Sequence, residues 1–266
     1  MRDHVQALRT LHLQGMADAL EAWQADPLNV DRPLSEALAY LIDGHSQRQN
    51  QSRADTFFRQ AGLATHYSAH TFRANPATGL SSQRMDHLRG LSWIKRGQAV
   101  VITGPTNAGK THLAAGLGHE ATVHGLRCVF VRTPAMLDRC LDPDLTIAAR
   151  RRYQKQLANA PLLIMDDFAT EYATTEKTYL LRRLLDDRAR RGLPVVVASI
   201  NAVADWDGYF EDEAAREGIY SRLIDAGCHR VELRRSAPPK TAHRDHKRTR
   251  SHVTRCVKAH RSVATP

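Results

Sequence analysis

Gly104-Pro105-Thr106-Asn107-Ala108-Gly109-Lys110-Thr111 fits the spacing G-x-x-x-x-G-K-[ST], and its reading decides the fold. The residues before it, Gln98-Ala99-Val100-Val101-Ile102-Thr103, are apolar and β-branched, the pattern of a buried strand. Those after it, Thr111-His112-Leu113-Ala114-Ala115-Gly116-Leu117, carry helix formers at helical spacing. Strand, glycine loop and helix are the context in which this spacing cradles a phosphate. Gly104 and Gly109 let the backbone wrap closely round an anion, and the N–H groups opening the helix point at it. Lys110 adds a point charge for the outer phosphates, and the Thr111 hydroxyl is a ligand for Mg²⁺. Asn107 stands where such loops often carry glycine, and asparagine tolerates the left-handed region better than most residues.

Further along, Pro161-Leu162-Leu163-Ile164-Met165 reads as a second apolar strand ending in Asp166-Asp167. Two carboxylates at a strand's carboxyl end lie at the crevice where α/β proteins bind ligands. On a strand neighbouring that of the phosphate loop, Asp166 is expected to hold the Mg²⁺ shell and Asp167 to polarise an attacking water. Val195–Ser199 is a third such strand, followed by Asn201, whose side chain is placed to reach a γ-phosphate or position water; ordinary turn chemistry also accounts for it. Arg222, in Tyr220-Ser221-Arg222-Leu223, either serves a neighbour's γ-phosphate or lies idle on the surface.

The remaining runs complete an alternation. Cys128–Val131 and His229–Leu233 read as strands, and 134–140, 145–159, 175–191 and 213–225 as helices, with Tyr179, Leu180, Leu184 and Leu185 inward. Strands apolar throughout, alternating with helices, predict a parallel sheet covered on both faces. The N-terminal part is helical. Residues 3–24 space Val5, Leu8, Leu11, Met16, Leu20 and Trp23 as one amphipathic helix. Asp31 and Pro33 start another, with a stripe of Leu34, Leu38, Leu41 and Ile42 running toward Phe57 and Phe58, and Gly62 as its stop. Residues 64–80 read as a linker and 82–91 as a short helix. The expected fold class is therefore α/β, a phosphate-loop core behind a small all-α region. The boundaries are 1–75 (helical, DNA or partner binding), 76–235 (nucleotide-binding core) and 236–266 (basic tail, disordered).

The formal charge of +10 lies mostly in that tail, where residues 240–266 hold eight Lys and Arg against Asp245 alone. Such a tail suits a polyanion or is simply a solvated end. Its histidines (His243, His246, His252, His260) are irregularly spaced and do not form a metal motif. Cys128, Cys140, Cys228 and Cys256 are too far apart for a C-x-x-C zinc site. The start of the chain lacks a signal-type apolar stretch, and no run approaches the roughly 20 apolar residues of a membrane span. The expected location is cytoplasmic, with no membrane partner.

The layout resembles the IstB/DnaC-type AAA+ ATPases, and most closely the IstB-like helpers encoded beside insertion-sequence transposases. The resemblance spans about residues 5–233. It is carried by Leu8-Arg9-x-Leu11-x-Leu13-x-Gly15-Met16, Trp93-Ile94, the phosphate loop, Leu117-Gly118, Val131-Arg132-x-Pro134, Asp166-Asp167-Phe168, Trp206 and Arg222-Leu223 before His229-Arg230-Val231-Glu232-Leu233. It implies an AAA+ core that binds ATP and Mg²⁺ and hydrolyses ATP. It also implies double-stranded DNA, a transposase and further copies of the chain as partners. In that reading Asn201 is the sensor and Arg222 the interfacial finger. DNA contact falls to Arg48, Arg53 and Arg59 and to Arg150, Arg151 and Arg152, with a steep salt dependence. A replicative helicase loader of the DnaC kind and a DNA-binding scaffold that holds ATP without turning it over are the alternatives. Asp167 replaces the glutamate of many AAA+ members. Arg234-Arg235-Ser236 replaces the family's Gly-Glu-Ser, so no second sensor arginine is assigned. The run from Lys240 departs from the family pattern, and no C-terminal lid is expected in it.

Overall fold

The computed structural model describes residues 2–61, 67 and 69–235. The apolar runs form five parallel strands, β1 (Ala99–Thr103), β2 (Cys128–Arg132), β3 (Leu162–Asp166), β4 (Val195–Ser199) and β5 (Cys228–Glu232). Their order is β2-β3-β4-β1-β5. Register pairs Thr103 with Ser199 on one side and Glu232 on the other, and Arg132 with Asp166, so the carboxyl ends line one rim. Within β1, β3 and β4 successive side chains enter opposite cores. Val101, Leu163, Met165 and Val197 join one; Val100, Ile102, Leu162, Ile164 and Val196 join the other. With both faces dry, these strands are apolar at every position before the last. Edge strand β2 is only half-buried.

The helices are α1 (Arg2–Thr10), α2 (Gln14–Ala25), α3 (Leu34–Ala61), α4 (Ser82–Arg89), α5 (Ser92–Lys95), α6 (Lys110–Val123), α7 (Thr133–Leu141), α8 (Ile147–Asn159), α9 (Thr175–Ala189) and α10 (Glu213–Tyr220). Met136, Leu157, Leu181 and Ile219, from α7 to α10, pack on the first face with Trp206. Leu113 and Leu117 of α6, Trp93 of α5 and Phe57 and Phe58 of α3 pack on the second. The end of α3 thus belongs to the core of the sheet, and Met1–Ser236 groups as one compact unit. Gly118 makes this fit possible. A Cβ there would stand 2.5 Å from Ile164 and 2.6 Å from Phe57.

Several expectations are corrected. The single helix over 3–24 is two, because His12 takes φ +60°. The His12 N–H donates to the Arg9 carbonyl and the Leu13 N–H to that of Leu8, a Schellman ending without its usual glycine. The stripe of Leu34, Leu38 and Ile42 stays exposed. α2 packs instead on the small-residue side of α3, where a Cβ on Gly15 would meet the His45 Cα at 2.6 Å. Tyr179 points outward; Leu181 takes its place in the core. The helix expected over 213–225 keeps α geometry only to Tyr220 and then widens into a π turn, Ser221–Asp225. The stretch read as a linker is no free tether, since Ala69 and Leu80 are buried. Gly62, the first part of that stretch and the tail from 236 lie outside the described residues.

Candidate nucleotide-binding site

β1 delivers the chain at Thr103 into a loop whose backbone leaves the ordinary regions. Gly104 has φ +145°, Asn107 +64° and Gly109 +91° before α6 begins at Lys110. The Leu233 N–H donates to the Thr103 carbonyl at 2.7 Å, pinning the loop's root to the end of β5. A Cβ on Gly104 would sit 2.3 Å from the Leu233 carbonyl oxygen. Gly104→Ala therefore displaces the loop, and its nucleotide affinity should fall at least about tenfold with an unchanged far-UV spectrum. Nucleotide titration beside circular dichroism checks this.

Lys110 is buried, and its Nζ donates to the Pro105 carbonyl at 2.8 Å. Burial lowers its pKa, while the charges of Asp166 and Asp167 oppose that shift. The Thr111 hydroxyl donates to Asp166 Oδ2 at 2.8 Å, joining the start of α6 to the end of β3. Burial raises the Asp166 pKa; the Thr111 hydrogen bond works the other way. The acids do not lie on a strand neighbouring that of the phosphate loop, as expected. β4 runs between β1 and β3, and Thr111 closes the gap.

Asp167 follows at φ +52° and Ala169 at +50°, a turn that lifts the Asp167 side chain out of the sheet, half-exposed. Such values in non-glycine residues mark a conformation held by its surroundings. The holders are visible. The Phe168 N–H donates to the Ala198 carbonyl at 2.8 Å, and the Asn201 side-chain amide to the Ala169 carbonyl at 2.7 Å. The Asn201 N–H in turn donates to the buried Ser199 hydroxyl. Asn201 thus braces the turn that presents Asp167. Arg222 lies on the π turn, its Nε donating to Asp186 at 2.8 Å. Of the arginines expected on DNA, Arg48 pairs with Asp18 and Arg53 donates to Asn50 and the Gly125 carbonyl. Arg59 donates to Thr56. Arg151 and Arg152 are exposed on α8 and Arg150 half-buried.

Three contacts at the site escaped the sequence reading. Arg132 Nε stands 4.0 Å from the Asp167 carboxylate. Arg235 Nε donates to the Thr106 carbonyl at 3.1 Å. Phe72 packs over Gly109, where a Cβ would meet its ring at 3.1 Å, and edge-on against His112 of α6.

The fold and the loop define a P-loop nucleotide-binding protein of the AAA+ kind. Within that class the chain belongs to the IstB-like ATP-binding protein family, whose sequence model matches residues 6–245. The match runs beyond the expected limit at 233 and past Lys240. An insertion-sequence ATP-binding protein of Mycobacterium tuberculosis is 33% identical over 224 residues, covering 82% of this chain and 87% of that protein. An IS21 ATP-binding protein of Pseudomonas aeruginosa is 29% identical, covering 82% and 80%. Among solved structures, the DnaC helicase loader aligns with a TM-score of 0.51 at 17% identity, covering 64% of this chain and 99% of that one. The replication initiator DnaA bound to AMPPCP and single-stranded DNA aligns at 0.53 and 16%, covering 65% and 51%. Among the described residues no helix is long and apolar enough to cross a membrane.

Proposed function

We propose that the protein is an ATP-hydrolysing helper of DNA transposition, which assembles with its own copies on double-stranded DNA and recruits or activates a transposase. The observation that carries the enzymatic part is the half-buried Thr111–Asp166 hydrogen bond at 2.8 Å, beside a desolvated Lys110. Two oxygen donors of this kind suit magnesium, and the loop beside them is held at Gly104 and Gly109 in left-handed backbone packed against Leu233 and Phe72. Thr111 and Asp166 would hold the ion, which supplies positive charge to the phosphate oxygens when bound. Lys110 exchanges the Pro105 carbonyl for those oxygens. Asp167, in its braced turn, takes the proton of the attacking water, and Asn201 keeps that carboxylate in place. Arg132 stands beside the Asp167 carboxylate and moves aside when the water is in place. Arg222, released from Asp186, is the cation offered to the nucleotide of an adjacent copy, and the exposed arginines of α3 and α8 meet DNA phosphates.

The transposition part rests on the relatives named above, which are insertion-sequence proteins. The likeness to the DnaC loader, at 17% identity, concerns the fold alone. Phosphate release with magnesium, with and without duplex DNA, tests the reading. The wild type should turn over ATP and do so faster with duplex. Asp167→Asn should lose at least about a hundredfold in turnover while titrating ATP normally. Wild-type protein that binds ATP but releases no phosphate, even with DNA and the transposase present, would leave only the scaffold reading.

A further inference from the structure

Two surfaces outside the nucleotide site complement one another. The first is the exposed end of the N-terminal helices. Leu28 is 79% exposed, Val30 80%, Leu34 74%, Leu38 46% and Ile42 58%. On α3 the last three recur every fourth residue, an apolar stripe about 12 Å long. Its surroundings are acidic: Asp26, Asp31, Glu36 and Asp43 stand among these residues, and Arg32 is the one cation between positions 26 and 44. The second surface is a groove of about 440 Å³ between α7, α8 and α9. Its floor is apolar, with Met136, Leu137, Cys140, Leu157, Leu181 and Leu184. Its rim is basic, with Arg151, Lys155, Arg183 and Arg191. The lone rim acid, Asp187, is already paired with Arg190 at 2.6 Å. Among the described residues Arg151, Lys155 and Arg183 have no ion-pair partner.

We propose that the groove between α7, α8 and α9 receives the acidic, apolar-striped start of α3 from a second copy of this chain. An exposed stripe of this size marks an interaction site, and an amphipathic helix in an apolar groove is a common mode of recognition. Charge selects the occupant. The chain's own basic tail is repelled by a basic rim, whereas the start of α3 carries the opposite sign. Duplex DNA would use the rim but leave the floor uncovered. The contact joins two different surfaces, so copies add head to tail. It involves neither the phosphate loop nor Arg222 and forms without nucleotide, so its failure would leave the proposed ATPase untouched.

Sedimentation of the full-length protein without nucleotide or DNA tests this. The wild type should self-associate at protein concentrations up to about 100 μM. Two variants separate the surfaces. Leu34→Asp with Leu38→Asp spoils the stripe, and Lys155→Glu with Arg183→Glu spoils the rim. All four positions are exposed, and circular dichroism verifies that the fold is kept. Each variant alone should associate at least about tenfold more weakly. Mixed in equal amounts they should recover a one-to-one dimer, since one retains the groove and the other the stripe. A wild type that stays monomeric, a rim variant that associates as the wild type does, or a mixture that fails to pair overturns the proposal. A rim variant that loses only its affinity for duplex DNA also overturns it, assigning the rim to DNA.

Discussion

Lys110→Ala should lose magnesium–ATP at least a hundredfold, about 2.7 kcal/mol, and do so without loss of stability. The ammonium is buried with one neutral acceptor, the Pro105 carbonyl. Burial lowers its pKa, so the charge costs free energy in the free protein and is opposed there only by the field of two carboxylates. Phosphate oxygens would supply what this position lacks, because hydrogen bonds to ionised partners are about twice as strong as neutral ones. A charge whose burial costs more than its neighbours return weakens the fold, so removing it is neutral or stabilising for the fold itself. The melting temperature without nucleotide should therefore hold or rise, while the increase that ATP gives the wild type disappears. Lys110→Arg should not rescue it, since a planar fork needs more room than a compact ammonium. Titration with a fluorescent ATP analogue and paired melting curves check both halves. A variant whose melting temperature still climbs with ATP would take Lys110 out of the site.

The parts legible in the sequence are those where backbone geometry or double-sided burial leaves few residue types available. Gly104 is forced by a carbonyl 2.3 Å from where its Cβ would be. β1, β3 and β4 are buried on both faces and announce themselves as apolar runs. What stayed hidden depends on tertiary neighbours. The break after α1 rests on His12 in a conformation usually left to glycine, so no punctuation marks it. The place of β4 between β1 and β3 follows from packing, and the acid pair was accordingly set one strand too close. Phe72 is one aromatic in a polar stretch, and nothing local shows that it lies over Gly109. Arg132 and Arg235 look like solvated charges until the strand ends bring them to Asp167 and Thr106. The exposed stripe on α3 has the periodicity of a core face. Periodicity gives the face of a helix but not what covers it.

Among the described residues Arg188 is the other buried cation, and its loss should have the opposite consequence. It lies on the inner face of α9, fully buried, with Nη1 donating to the Leu157 and Ala160 carbonyls at 2.7 and 2.8 Å and Nη2 to that of Pro194 at 2.6 Å. Leu157 and Ala160 end α8, where carbonyls lack helical partners and the helix dipole is negative. Pro194 precedes β4. One guanidinium therefore closes the end of α8, the turn into β4 and the face of α9. Burial pulls its pKa down to about 10, still a cation at neutral pH. Arg188→Met keeps much of the volume but strands three buried acceptors, each worth about 1–3 kcal/mol. The expected loss is about 3–5 kcal/mol, or a fall of roughly 10 °C in melting temperature for a unit of this size. Arg188→Lys should recover only part, because an ammonium does not present the fork that spans the three carbonyls. Denaturant unfolding of the nucleotide-free protein gives the number. The comparison with Lys110→Ala gives the meaning, since the Arg188 variant should bind ATP with near-normal affinity wherever it remains folded. Unchanged stability in Arg188→Met would show that water satisfies those carbonyls and that α8 and β4 are fastened by apolar packing alone.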